Sequence, residues 1–240
     1  MILLQLTDLH VRPRGKPAMR VCETNMLTER ALLAVRNFRP RPDALVITGD
    51  LAHNGQVSEY RNLADMLARL IDLPTYVIPG NHDDRDNFRQ VLGHLPGIAG
   101  HPDFIHYAVE DLPVRLVMLD TLIPGRTEGE LCPHRLEWLD AALALQPDKP
   151  TIIAMHHPPF RCGIRHMDQL MLRDPAGVAD LQHLADGDQR PVDEGVFGAR
   201  DDACPAVEDL ARQVPQALDL RLHAGAVHKH AGRGQGAHPG

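Results

Sequence analysis

Short apolar segments alternate with longer amphipathic segments over most of the chain. The short segments are nearly continuous in apolar residues, as buried strands are, and the longer ones repeat apolar residues at helical spacing. Pro and Gly mark the loops between them. This alternation predicts an α/β protein. The predicted strands are Ile2–Leu6, Ala44–Thr48, Thr75–Ile78, Phe104–Val109, Val114–Leu119 and Thr151–Met155, and the predicted helices are Glu23–Asn37, Ser58–Leu70, a segment after Asp84, and Leu136–Leu145.

The alternation ends after about Leu184. Residues 185–216 are rich in Asp, Arg, Pro and Gly, and residues 221–240 are largely His, Gly and Ala. Segments of such composition bury too little apolar surface to form a core. We therefore divide the chain into a domain at residues 1–184 and a divergent segment at residues 185–240, for which a disordered tail is the simplest interpretation.

Composition narrows the class of function. A chain of 240 residues with 43% hydrophobic content can bury one substantial core. Its net charge of −7 argues against nucleic-acid binding by bulk electrostatics, whereas a small anionic substrate at a local site is compatible with it. No apolar run reaches the length of a membrane span, so we expect a cytoplasmic protein without membrane partners. The cysteines, Cys22, Cys132, Cys162 and Cys204, form no CxxC pair, and free thiols are expected.

Side chains of metal-ligand types follow four of the predicted strands. Asp8 and His10 follow the first strand, and extended backbone would point both to the same side. The other strand ends carry Gly49-Asp50, Gly80-Asn81-His82-Asp83 and His156-His157. The carboxyl ends of strands in an open α/β sheet meet at one edge, where such folds build their sites. One Asp-x-His triplet alone is common, but four such strand ends together predict a shared site.

The chemistry of these side chains indicates two divalent cations. Oxygen and nitrogen ligands without a thiolate suit Mn, Fe or Zn, and Ca is disfavoured by so many imidazoles. One carboxylate shared by two cations would hold them about 3.5–4 Å apart, the spacing used for in-line displacement at phosphorus.

The ordered motifs resemble those of the calcineurin-like metallophosphoesterases, and most of all the bacterial class III cyclic nucleotide phosphodiesterases and glycerophosphodiesterases. The resemblance covers roughly residues 1–184. It implies a four-layer α-β-β-α sandwich of two mixed sheets, whose C-terminal part is atypical or incomplete here. The matching segments are Asp8-Leu9-His10, Gly49-Asp50, Gly80-Asn81-His82-Asp83 and His156-His157, with support from Asp120-Thr121 and Met167-Asp168.

The resemblance also implies a set of metal ligands. Asp8 and His10 would hold one metal, and Asn81 and His156 would hold the other. Asp50 would bridge both metals, which gives it a catalytic part as well.

His82 would be the second catalytic residue. By resemblance it lies outside the metal ligands and orients or protonates the phosphodiester, a role that suits a positioned imidazole. The alternative is a ring that only hydrogen-bonds Asp83 or the backbone. We assign His157 a structural role and leave it out of the metal set.

One motif of the family is missing. A Gly-His-x-His segment should follow the histidine pair by roughly forty residues. The expected place holds Val196–Arg200, which contains no histidine. His228-Lys229-His230 offers a late substitute without a preceding strand. A frameshift in the gene is a third hypothesis, which the nucleotide sequence would refute if no frame there encodes the missing motif.

These inferences predict a phosphoric diester hydrolase. A water activated between two metals would attack phosphorus in a small phosphodiester, either a 3′,5′-cyclic nucleotide such as cAMP or a glycerophosphodiester. The alternative is an inactive or truncated relic with at most weak metal binding. The resemblance also implies a homodimer. Loss of the last strands would make this dimer less stable.

Overall fold

The computed structural model describes residues 1–161 and 163–173, which fold as alternating strands and helices. The predicted α/β class is confirmed. Among the described residues, no helix is long and apolar enough to cross a membrane. The strands are β1 (Leu3–Leu6), β2 (Ala44–Thr48), β3 (Thr75–Ile78), β4 (Tyr107–Val109), β5 (Arg115–Leu119) and β6 (Thr151–Met155), and the helices are α1 (Thr24–Asn37), α2 (Val57–Leu70), α3 (Arg85–Leu92) and α4 (Pro133–Ala144).

The strands form two sheets. The first has the order β1-β2-β3 with parallel pairing, as expected where helices connect successive strands. The second has the order β4-β5-β6, in which β4 is antiparallel to β5 and β6 is parallel to it. The expectations for Val196–Arg200, His228–His230 and the whole of residues 185–240 lie outside the described residues.

The sides of β5 show how the layers are stacked. Leu116 and Met118 belong to the core that also contains the first sheet and residues of α1, α2 and α3. Val117 and Leu119 point the other way and pack with Leu139 of α4. Alternation of side chains along β5 therefore places it between the first sheet and α4, in agreement with the α-β-β-α arrangement.

Two element boundaries differ from the sequence prediction by three residues, and the other differences are of one residue. Helix α4 begins at Pro133 instead of Leu136, because proline is favoured in the first turn of a helix, where its missing N–H costs nothing. Strand β4 begins at Tyr107 instead of Phe104. The N–H groups before it are used elsewhere: Phe104 donates to Nδ1 of His101, and Ile105 donates to a carboxylate oxygen of Asp120.

His106 lies in a buried aromatic cluster beside α4. Its ring stacks on Trp138, with 4.3 Å between ring centroids, and it is 2% exposed. Neither ring nitrogen has a hydrogen-bond partner among the described residues. Burial, reinforced by His101, lowers the pKa of His106 to about 4, although Asp120 opposes this shift.

This depressed pKa predicts a loss of stability in acid. The unfolded chain binds a proton at His106 below about pH 6.5, whereas the folded chain does so only near pH 4. Stability is therefore complete at neutral pH and falls as the pH drops. We expect His106 to remove about 2.5 kcal/mol of the free energy of unfolding between pH 7 and pH 4.5.

Urea unfolding of the wild type and the His106→Phe variant at both pH values would check this. Phenylalanine keeps the aromatic stacking and loses no hydrogen bond. The variant should be about 2.5 kcal/mol less sensitive to the change in pH than the wild type. Equal sensitivity of both proteins would show that His106 is not the buried titrating group.

Candidate metal centre

The loops that follow β1, β2, β3 and β6 meet at one place. Beyond the strands, the first two loops stay paired: the N–H of His10 donates to the carbonyl of Asp50 at 2.8 Å, and that of Val11 donates to Leu51 at 2.9 Å. This pairing carries both loops past the sheet edge together. All six residues predicted to form the site, Asp8, His10, Asp50, Asn81, His82 and His156, are brought into one cluster.

Asp8 and His10 converge for a different reason from the predicted one. The prediction relied on extended backbone, but both residues have left-handed conformations, with φ of 56° and 44°. Asp50 has the same type of conformation, with φ of 50°. Residues other than glycine adopt this region uncommonly, although Asn, Asp and His do so more readily than the rest, and three of the five such residues described here lie in the site. The turns bring Oδ1 of Asp8 to 3.9 Å from Nε2 of His10.

Two glycines allow the loops to approach this closely. Gly49 has φ of 93°, and a Cβ there would overlap the ring of His156. A Cβ at Gly80 would overlap Oδ1 and the backbone nitrogen of Asp50. Only glycine leaves room for both contacts.

Asp50 lies at the centre of the cluster, and its side chain is 5% exposed. Its Oδ2 atom faces Nε2 of His10 at 3.6 Å, and its Oδ1 atom faces Nε2 of His156 at 3.5 Å. The backbone N–H of His82 donates to Oδ1 at 2.9 Å and fixes the carboxylate. The two oxygens thus point to opposite halves of the cluster.

His156 presents a lone pair to the cluster. Its Nδ1 lies 2.8 Å from the carbonyl oxygen of Thr48, which can only accept, so Nδ1 carries the proton of the neutral ring. Nε2 then faces Oδ1 of Asn81 at 3.2 Å and Oδ1 of Asp50 at 3.5 Å. Three atoms with lone pairs converge here, and a divalent cation would satisfy them all. A histidine oriented by a carbonyl through its second nitrogen is usual for metal ligands.

Asp83 holds the loops that follow β2 and β3 in place. It accepts hydrogen bonds from the backbone N–H groups of Leu51, Ala52 and Gly80 and from the hydroxyl of Tyr60. Burial raises the pKa of Asp83 to about 6, although these hydrogen bonds act in the opposite direction. Asp83 belongs to the Gly80-Asn81-His82-Asp83 motif, and no role was predicted for it; its hydrogen bonds to the neighbouring N–H groups position Asp50 and Asn81.

A second group of side chains that could bind a metal consists of His10, His53 and His82. Of these three, only His53 was not among the predicted site residues. One ring nitrogen of each lies within 4.8 Å of the others. Among the described residues, the other group of this kind is Asp8, Asp50 and His156. Burial lowers the pKa of His10, although the charge of Asp50 opposes this shift. Burial also lowers the pKa of His53, and the neighbouring His82 lowers it further. Neutral imidazole is the form that binds a metal.

His82 bonds to the backbone, as the alternative interpretation of the sequence allowed. Its Nδ1 lies 2.8 Å from the carbonyl oxygen of His53. Nδ1 therefore keeps its proton, and Nε2 is free to face Oδ2 of Asp50 at 4.0 Å. This arrangement leaves Nε2 available to accept a hydrogen bond or, in the doubly protonated ring, to donate a proton.

His157 lies behind the cluster and is 1% exposed. Its Nδ1 is 2.7 Å from the hydroxyl of Thr121. Burial, with a contribution from His156, lowers the pKa of this ring to about 4. The ring packs against Gly129, where a Cβ would overlap it. These contacts agree with the structural role assigned from the sequence.

A basic cavity of about 550 Å³ adjoins the cluster. His53 lines it together with the cationic side chains of Arg12, Lys16 and Arg20. Glu59 pairs with Arg12 at 2.9 Å and offsets part of this charge. The local field therefore favours an anion even though the chain as a whole is acidic.

Two packed sheets whose strand ends bring together carboxylates, imidazoles and an amide are typical of metallophosphoesterases. The model of the calcineurin-like phosphoesterase family matches residues 1–183, and the chain belongs to this family.

Curated relatives of the chain carry names of two kinds. It is 35% identical over 168 residues to a probable glycerophosphodiester phosphodiesterase of Arcobacter nitrofigilis, a match covering 70% of this chain and 61% of that protein. It is 37% identical over 175 residues to a probable cyclic nucleotide phosphodiesterase of Rhodopseudomonas palustris, covering 71% and 62%. A probable cyclic nucleotide phosphodiesterase of Synechococcus is 34% identical over 173 residues, covering 72% and 64%. The chain thus spans less than two thirds of these relatives.

Proposed function

We propose that the protein is a metal-dependent phosphodiesterase acting on a small phosphodiester. The observation that carries the proposal is the position of Asp50, whose two oxygens face opposite halves of a cluster of lone-pair donors. Such a carboxylate suits a bridge between two cations, with Asp8 and His10 on one side and Asn81 and His156 on the other. Bound there, divalent cations would neutralise the phosphate and lower the pKa of an attacking water.

The chain's own residues would supply orientation and a proton. Thr48 and Asp83 hold His156 and the loops in fixed positions, so that little reorganisation accompanies binding. His82, when doubly protonated, would donate from Nε2 to the departing alkoxide oxygen while Nδ1 stays bonded to the carbonyl of His53. The basic cavity would bind the anionic substrate.

The names of the relatives support two substrate classes, 3′,5′-cyclic nucleotides such as cAMP and glycerophosphodiesters. A mixed set of oxygen and nitrogen ligands supports Mn, Fe or Zn as the metals. The acidic chain does not favour nucleic acid as a substrate. We propose a cytoplasmic enzyme and leave the homodimer as an expectation of the resemblance.

Hydrolysis of bis(p-nitrophenyl) phosphate by the purified chain tests the proposal. Protein stripped with a chelator should be inactive and should regain turnover when Mn²⁺ is added, because the cations would lower the pKa of the attacking water and neutralise the phosphate. Cleavage of p-nitrophenyl phosphate serves as the comparison and should be slower. Absence of diester cleavage by folded, metal-supplied protein would instead support a relic, and faster monoester cleavage would support a phosphomonoesterase.

A further inference from the structure

The basic cavity beside the metal cluster begins at His53. This residue lines the cavity, and its ring also stacks against that of His82 with 5.5 Å between centroids. The ring of His10 meets that of His53 edge-on, at 5.4 Å. A substrate whose phosphodiester lies at the cluster thus has a cavity of about 550 Å³ directly beside it, with room for the rest of the molecule.

A strained turn carries Arg20 at this cavity. Ala18, which is fully buried, exchanges two backbone hydrogen bonds with Cys22, at 2.7 and 2.9 Å, and so anchors the turn. Between them, Met19 and Arg20 are both left-handed, with φ of 48° and 68°. Turns of this kind favour Asn and Gly, because longer side chains adopt the left-handed region at a cost. Such strain clusters at ligand sites, and both side chains line the cavity.

Two cations of the cavity have no counter-charge. Arg12 pairs with the buried carboxylate of Glu59 at 2.9 Å. Among the described residues, neither Lys16 nor Arg20 forms an ion pair, and both are exposed where they line the cavity. The positive charges of Lys16 and Arg20 are therefore available to a ligand.

The reacting phosphodiester does not account for these two charges. A diester carries a single negative charge, and in the proposed function divalent cations at Asp50 neutralise it. A phosphate monoester carries a charge of about −1.5 to −2 at pH 7 and three strong acceptor oxygens, which match an ammonium group together with a guanidinium group. Pro17 and Met19 line the same cavity and offer apolar surface to the carbon skeleton between two phosphates.

We propose that Lys16 and Arg20 form a second anion site, which binds a phosphate monoester carried by one of the two alcohols of the diester. This inference deepens the proposed function and rests on it for the position of the reacting phosphate. Within both substrate classes, diesters that carry a second phosphate are then preferred to their counterparts without one.

Two chromogenic ligands that differ only in the second phosphate test the proposal. They are thymidine 5′-(p-nitrophenyl phosphate) and the same compound with a phosphate on its 3′ oxygen. Calorimetric titration of the full chain, treated with a chelator so that neither ligand is turned over, should show about tenfold tighter binding of the 3′-phosphorylated ligand. The preference should shrink as salt is added, because both cations are exposed. With Mn²⁺ supplied, kcat/KM for release of p-nitrophenol should favour the same ligand.

Lys16→Gln and Arg20→Gln each remove one charge and keep a polar side chain. Each should lower the preference at least about threefold, and the double variant should bind both ligands about equally. Arg41→Gln is the matched control, because Arg41 is an exposed arginine that precedes β2, at the opposite end of this strand from Asp50. It removes the same charge and should keep the preference of the wild type.

The outcomes separate this inference from the proposed function. Equal binding of both ligands by the wild type, or a preference that persists in the double variant, would overturn the second anion site even if diesters are hydrolysed. An equal loss of preference in Arg41→Gln would show attraction by net charge alone and would overturn it too. A preference that depends on Lys16 and Arg20 in a chain without hydrolytic activity would support the anion site and contradict the phosphodiesterase.

Discussion

Replacement of Asp50 by asparagine is expected to lower metal-dependent diester hydrolysis by at least about 100-fold, because the change removes the charge that both halves of the site share. Asparagine is nearly identical in shape and tolerates the left-handed backbone of this position, where φ is 50°. It also keeps an oxygen that can accept from the N–H of His82. Alanine would add a backbone penalty at this left-handed position, so that the effect of the lost charge could not be measured by itself.

Turnover of bis(p-nitrophenyl) phosphate and Mn²⁺ affinity should be measured together. Both should fall, and the free energy of unfolding of the metal-free protein should change little. Asp65→Asn is the matched control, because Asp65 is an exposed carboxylate paired only with the exposed Arg14. Wild-type turnover in Asp50→Asn would show that the reaction does not use a bridging carboxylate here.

Removal of the Asp120 carboxylate is expected to cost about 3–5 kcal/mol of the free energy of unfolding. Asp120 is fully buried and receives two hydrogen bonds from Arg85, at 2.6 and 2.8 Å. It also accepts from the N–H groups of Ile105 and Leu122. In Asp120→Ala the guanidinium of Arg85, which is only 13% exposed, would lose its counter-charge. This pair joins the start of α3 to the residue that follows β5.

Urea unfolding of Asp120→Ala, Arg85→Ala and the double variant would measure the effect. The double variant should lose less than the sum of the single variants, because it leaves no unpaired buried charge. Asp72→Ala removes an exposed partner of Arg41 and should change stability by less than about 0.5 kcal/mol. A loss in Asp120→Ala no larger than in this control would contradict the assignment.

Local patterns in the sequence could predict most elements and the edge where the site lies. Continuous apolar runs predicted β2 and β5, and the position of Asp84 before an amphipathic segment predicted α3, where its side chain accepts from the N–H of Asn87. Long-range partners were beyond such patterns. Nothing in the sequence pairs Arg85 with Asp120. His53 is one of 15 histidines in the chain, and it lies in a loop where no strand end marks it as a site residue.

The sequence by itself determined the order of strands and helices and the polar residues that end the strands, because hydrophobic periodicity and turn chemistry act over a few neighbouring residues. Only the tertiary structure decided how those residues meet. Left-handed turns at Asp8 and His10, and the close approach of Asp50 to Gly80, depend on contacts between loops far apart in the chain. These contacts outweigh the local backbone preference, since packing and hydrogen bonds from several elements act together on each residue.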